Sequence, residues 1–141
     1  MRAELRGSLA AAGIVLDGSG ADVRAHVSRE GWREAACALH SAGARFFDLT
    51  AIDRDGSVEL VLTLIDGTAD QLSLRTSCPN DDLTADSLAD VFPPAEWAER
   101  EVYDLFGVEF AGNPDMTRIL QPDSATIFPL RRSFLLEERP W

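Results

Sequence analysis

Glu99-Arg100-Glu101-Val102-Tyr103-Asp104-Leu105-Phe106-Gly107 is the densest charged and aromatic stretch of the chain, and it ends on a glycine. Pro93, Pro94 and Trp97 stand just before it. Proline is tolerated in a first helical turn, where its missing N–H is not needed, and glycine just past a helix end takes the left-handed conformation that stops it. The stretch therefore reads as a helix closed by Gly107. Ala98, Val102, Leu105 and Phe106 fall at i, i+4, i+7 and i+8, one apolar stripe that docks the helix on a core. On another face Glu96, Arg100 and Asp104 are spaced i, i+4 and i+8, so the arginine is expected to pair with an acid above and an acid below. Such a ladder is either a solvated face or a contact with another protein.

Upstream, hydropathy alternates with the period of strands. Arg45 to Ile52, Ser57 to Ile65 and Asp70 to Ser77 read as three strands. Val58, Leu60, Leu62 and Leu64 keep strict alternation in the middle one. Asp55-Gly56 and Asp66-Gly67 are pairs that tolerate positive φ in hairpin turns, which makes the three an antiparallel meander. Nearer the start, Leu5 and Leu9 mark a short helix stopped by Gly13, and Val23, Ala25 and Val27 a half-buried strand. Ile14 to Leu16 is expected to extend or pair with that strand beyond a Gly18-Ser19-Gly20 turn. Ser28 reads as the N-cap of a helix with Trp32, Ala36 and Leu39 on its buried face and Gly43 at its end. Ser87 to Val91 reads as a short helix stopped by Pro93. The expected fold is α+β, a two-layer sandwich with helices on one face of a mixed, mainly antiparallel sheet.

Beyond Gly107 the periodicity is lost. Residues 108–141 carry Pro114, Pro122, Pro129 and Pro140 and read as an extended C-terminal arm after an α+β domain of residues 1–107. The arm has too many apolar side chains for a free tail, among them Phe110, Ile119, Leu120, Ile127, Phe128, Leu130 and Phe134. Part of it is expected to fold back and part to lie on a neighbouring subunit. Arg118, Arg131 and Arg132 offer forked donors for carboxylates or backbone carbonyls.

The 141 residues suit one domain, and a 45% apolar fraction argues against disorder. A formal net charge of -11 disfavours nucleic acid and anionic membrane as direct partners. No apolar run approaches the roughly 20 residues that span a bilayer. The N-terminus lacks the apolar segment of a secretory signal, so the expected location is cytoplasmic. All thirteen basic residues are arginine, which we attribute to codon bias more than to chemistry. Cys37 and Cys78 lie far apart and outside any CxxC spacing, which argues against an iron-sulfur or zinc site built by this chain alone. Cys37 reads as a small core residue and Cys78 as a strand-end residue; spacing leaves a disulfide between them open, and a cytosolic location argues against it. His26 and His40 have no paired-ligand spacing.

A hydrolytic reading would use Glu99, Glu101 and Asp104 as paired acid and base. Arg100 beside them would hold the acids ionised, the wrong state for a general acid. GxSxG, P-loop and GxGxxG motifs are lacking.

Three ordered motifs carry a resemblance: ERE.YDLFG at 99–107, F.GNPD..RIL at 110–120 and PLRR at 129–132. Together they resemble the 30 kDa subunit of respiratory complex I, which is the C subunit of bacterial NADH-quinone oxidoreductase, and the homologous subunit of group 4 membrane-bound nickel-iron hydrogenases. The resemblance is strongest from Leu83 to Phe134, with a weaker extension through Asp48-Leu49-Thr50-Ala51-Ile52-Asp53. It implies the same type of fold and a structural subunit of a redox complex, a translocase, with no catalytic, cofactor-binding or metal-binding residues in this chain. Iron-sulfur clusters, flavin and quinone, or a nickel-iron centre, would belong to partner subunits. Those partners would be the large 49 kDa-type (D-type) subunit or hydrogenase large subunit, and a small iron-sulfur subunit of B type. The location implied is peripheral, on the cytoplasmic side of the inner membrane, with membrane contact only through the complex. By motif match the signature residues are Glu99, Arg100, Glu101, Tyr103, Asp104, Gly107, Pro114, Arg118, Pro129, Leu130 and Arg131, with partner docking as their expected role. Phe128 before the PLR motif and Ser133-Phe134 after it depart from the quinone branch, where His or Tyr and then an acid are frequent. That departure keeps the hydrogenase branch open.

Overall fold

The alternation of Val58, Leu60, Leu62 and Leu64 becomes the centre of the core: all four are fully buried along one face of β4 (Ser57–Ile65). The computed structural model describes residues 3–19, 22–67 and 70–136. β4 pairs antiparallel with β3 (Arg45–Arg54) and with β5 (Gln71–Pro79), in a register that sets Leu62 beside both Leu49 and Leu74. Asp55 and Gly56 make the two-residue turn between β3 and β4, with Gly56 at φ +84. The meander is as the alternation predicts. β1 (Leu16–Ser19) and β2 (Asp22–His26) form a hairpin, and β2 then lies parallel to β5, so the sheet order is β1-β2-β5-β4-β3 and the sheet is mixed.

The strand partnering β2 is Leu16–Ser19. Gly18 and Ser19 of the expected turn are therefore strand residues, and Gly20 lies outside the described residues.

Among the described residues three helices cover the sheet: α1 (Ala3–Ala11), α2 (Trp32–Ser41) and α3 (Ala95–Phe106). Their buried side chains join Val23, Leu49, Leu60, Leu62 and Leu74 in a single apolar cluster, so all three lie on the same face. Val61, on the opposite face of β4, stands outside that cluster. Trp32, Leu39, Leu60, Leu62 and Leu74 are fully buried, each contributing about 1.5–3 kcal/mol against exposure. On the open face Glu59 is ringed by basic side chains: Arg54 at 2.7 Å, Arg75 at 3.5 Å and His26 at 3.6 Å. Burial alone would raise its pKa, but these neighbours win and lower it.

Several expectations are corrected. Ser28 is not the N-cap of α2. Gly31 holds that position, and the Ser28 hydroxyl accepts the Gly31 N–H at 3.2 Å, one turn too early, because the chain makes a separate turn first. Residues 87–91 form a turn bonded from Val91 and Phe92 back to Leu88, not a helix. Just ahead of it lies β6 (Thr84–Asp86), parallel to β7 (Glu109–Ala111) in a small second sheet. Val108 and Phe110 are buried in the core. Cys37 is half-buried rather than a core residue, Cys78 is buried, and both are free thiols.

Candidate docking site around helix α3

The buried face of α3 is broader than its apolar stripe. Ala95, Val102 and Phe106 meet the core, Ala98 and Leu105 are half-buried, and three charged residues, Glu99, Arg100 and Asp104, are buried with them. The expected ladder is not formed. Arg100 reaches neither Glu96 nor Asp104; it donates from Nε to the Thr117 carbonyl at 3.1 Å and from its fork to Thr117 Oγ1 at 2.9 Å, and lies 3.6 Å from Asp115. Its guanidinium stacks 4.8 Å over the exposed Trp97. Helical spacing could not foresee this, because the competing partners arrive from a segment that folds back over the helix.

Asp104 is the hub of that return. Its Oδ2 accepts the main-chain N–H groups of Ile119 (3.2 Å), Leu120 (2.7 Å) and Gln121 (3.0 Å). Its Oδ1 accepts Arg118 at 2.8 Å and the Gln121 amide at 2.9 Å. The carboxylate is 0% exposed. Burial alone would raise its pKa, yet the donors from Arg118, Gln121 and Leu120 hold it well below the ordinary carboxylate range. Arg118 also lies over the rings of Phe128 (5.0 Å) and Tyr103 (5.9 Å). Phe128 in turn lies against Gly107, whose φ of +83 suits glycine and where an added Cβ would stand 3.1 Å from the ring.

Glu99 serves the other end of the helix. It accepts Ser87 Oγ at 2.7 Å, the Leu88 N–H at 2.6 Å and Asn113 Nδ2 at 2.7 Å, which gathers the segments leaving β6 and β7. Arg100 does not hold it ionised. Burial raises its pKa, and the three hydrogen bonds offset this only in part.

The remaining signature residues divide. Arg131 donates to Asn80 Oδ1 at 2.8 Å, and its Nε lies 3.3 Å from Asp53 in ion-pair reach. Pro129 is half-buried and Leu130, anchored through its N–H to the Leu105 carbonyl at 3.1 Å, exposes 52% of its surface. Glu101 and Pro114 are exposed. Sequence reasoning singled out neither Gln121 nor Ser87 and Asn80; none carries a local signal, since each is defined by a partner far away in the chain.

Chemically, Glu99 and Asp104 do not converge. Each gives its acceptor capacity to the chain's own donors, so the pair does not form an acid and base facing a substrate. Among the described residues no group of three or more His, Cys, Asp and Glu could hold a metal ion, and no helix is long and apolar enough to cross a membrane. What remains open is apolar. Leu120 (64% exposed), Ile127, Leu130, Leu135 and Leu136 stand out along the arm.

Residues 25–140 match the family profile of the respiratory-chain NADH dehydrogenase 30 kDa subunit. The chain is 41% identical over 112 residues to the C/D subunit of NADH-quinone oxidoreductase from Gluconacetobacter diazotrophicus, covering 71% of this chain and 18% of that one. It is 37% identical over 95 residues to the C subunit of NADH-quinone oxidoreductase from Geobacter sulfurreducens, covering 64% and 59%. The matches thus span less than two thirds of these relatives' own lengths. Among solved structures, a trypsin-resistant fragment of Nqo5 superposes with a TM-score of 0.70 at 26% identity, covering 79% of this chain and 98% of that one. A chain of the membrane-bound sulfane sulfur reductase, an archaeal respiratory membrane complex, superposes with a TM-score of 0.84 at 25% identity, covering 94% and 84%.

Proposed function

Because the chain belongs to the respiratory-chain NADH dehydrogenase 30 kDa subunit family, we propose that it is a structural subunit of the peripheral electron-transfer arm of a complex I type NADH-quinone oxidoreductase. It packs on a large subunit of D type and supports electron transfer to quinone without a redox centre of its own. The observation that carries this reading is the C/D relative, in which a sequence like this one is joined covalently to a D-type subunit. The exposed apolar arm residues supply a surface for such a partner. A small iron-sulfur subunit of B type is the second expected neighbour. Flavin, iron-sulfur clusters and quinone sit in the partners, and the chain reaches the cytoplasmic side of the membrane through them.

A second reading, the equivalent accessory subunit of a group 4 membrane-bound nickel-iron hydrogenase, is favoured by Phe128 and Ser133-Phe134 around the PLR motif, and the fit to the sulfane sulfur reductase chain supports a place for this fold in a respiratory membrane complex of another kind.

A mild-detergent pull-down of the tagged chain from its native membranes, with proteins identified and metals assayed, tests both. Recovery of a D-type subunit with iron-sulfur proteins and a flavin-bearing NADH dehydrogenase module supports the first. Nickel in the large partner moves the chain to the second, and capture of no redox partner overturns both.

A further inference from the structure

Resting on the D-type partnership just described, we propose that Asp104 is a positioning residue for partner binding, whose carboxylate pre-forms the turn from which Leu120 and Ile127, beside Leu130, make the contact surface for the D-type subunit. Three consecutive N–H groups, those of Ile119, Leu120 and Gln121, converge on one oxygen of Asp104. Main-chain donors in a row point to one acceptor only when the backbone between them curls into an anion-binding concavity. The acid is therefore the mould of that turn. Arg118 completes it from the neighbouring position, with both charged groups nearly excluded from water.

The consequence reaches the surface. Gln121, held by both oxygens of Asp104, also donates to the Ile127 carbonyl at 3.4 Å, which closes the loop between Leu120 and Ile127. Leu130 is fixed separately to the Leu105 carbonyl. The signature acid thus faces inward while the apolar side chains that its turn presents, Leu120 and Ile127, face outward, 64% and 45% exposed. An irregular segment ordered before binding loses less entropy when the partner arrives, so affinity depends on the mould as well as on the contacts. The expected direct docking role of the α3 charges becomes an indirect one.

The test uses the full chain and the D-type large subunit from the same source. It compares wild type, Asp104→Asn, Leu120→Asp and the double variant by binding and by amide hydrogen exchange. The expected result for D104N is faster exchange at 119–121 with β4 unchanged, and binding weakened about tenfold. L120D should weaken binding by a similar factor while 119–121 stay protected. The double variant should bind little worse than the weaker single one, because both act on one surface. Unchanged binding by L120D, or fully additive losses, overturns the proposal while leaving the partnership standing. Failure of the wild-type chain to bind the D-type subunit overturns the partnership and the proposal with it. If β4 protection is also lost in D104N, Gln121→Ala takes its place, with a smaller effect in the same direction expected and no effect on binding overturning the proposal.

Discussion

The carboxylate of Asp53, on the core-facing side of β3, accepts the main-chain N–H of Arg132 at 2.7 Å, 79 residues further along the chain. The same oxygen lies 3.3 Å from Arg131 Nε. One buried acid thereby pins the PLRR motif to the sheet. Asp53→Ala should release this end of the arm: amide protection at Arg132 should fall while the β4 amides keep theirs, at a stability cost of about 1–3 kcal/mol for the stranded donors. Hydrogen exchange read residue by residue decides it, and unchanged protection at Arg132 would show that the contact does not hold the arm.

Glu99 satisfies three donors from two segments, 87–88 and Asn113. Glu99→Leu strands the buried Ser87 hydroxyl and Leu88 N–H, while Asn113 keeps the Glu96 carbonyl at 3.2 Å, and we expect a loss of about 3 kcal/mol in urea unfolding. A loss below about 1 kcal/mol would mean that water or a rearranged Asn113 replaces the carboxylate.

The two buried acids of α3 oppose each other in pH dependence. The folded-state pKa of Glu99 is raised by burial and, in smaller part, by Asp90. From the ordinary glutamate value of about 4.3 up to that raised value, the native state binds more protons than the unfolded one, so stability falls as pH rises through the window and returns on acidification. Asp104 is depressed. Its contribution is complete above the ordinary aspartate value of about 3.9 and is lost as pH falls toward the depressed one. The urea midpoint should therefore rise on mild acidification and drop below about pH 4. Glu99→Gln should flatten the rise and keep the drop; a profile identical to wild type would remove Glu99 as its origin.

Gly107 combines a φ of +83 with the close ring of Phe128. Gly107→Ala should cost about 1–2 kcal/mol from the left-handed backbone, and more if Phe128 cannot yield. Equal urea midpoints for the two proteins would contradict this.

Cys78 is fully buried, and its thiol is pushed up to about 11 by burial. A thiol reagent at pH 8 should modify the half-buried Cys37 first and reach Cys78 only through unfolding. Equal labelling rates in the native protein would show an opening near β5 that the structure lacks.

What was legible in the sequence was what neighbours in the chain decide. Val58 to Leu64 alternate because one sheet face is covered, Gly56 and Gly107 mark positive φ, and Trp32 and Leu39 mark a helix face. Each follows from a few adjacent residues. β6 and β7 were not legible, being three residues each and defined only by pairing with one another. The ladder of Glu96, Arg100 and Asp104 misled for a related reason. Spacing on a helix identifies available neighbours, but a returning segment with Arg118 and three main-chain N–H groups prevails over an exposed i+4 partner worth a few tenths of a kcal/mol. The family motifs drew the eye to Asp104 and Arg118, while the inward direction in which those side chains face needed the structure.

The parallel pairing of Val23 with Leu72 also has a bearing on time. At about 5–20 residues per second, the ribosome takes roughly 2–10 s to travel from β2 to β5. The β1–β2 hairpin waits that long for its lateral partner, whereas β3, β4 and β5 meet their neighbours as they emerge. The meander is thus the natural nucleus of the fold, and the N-terminal hairpin, though made first, is added to it later.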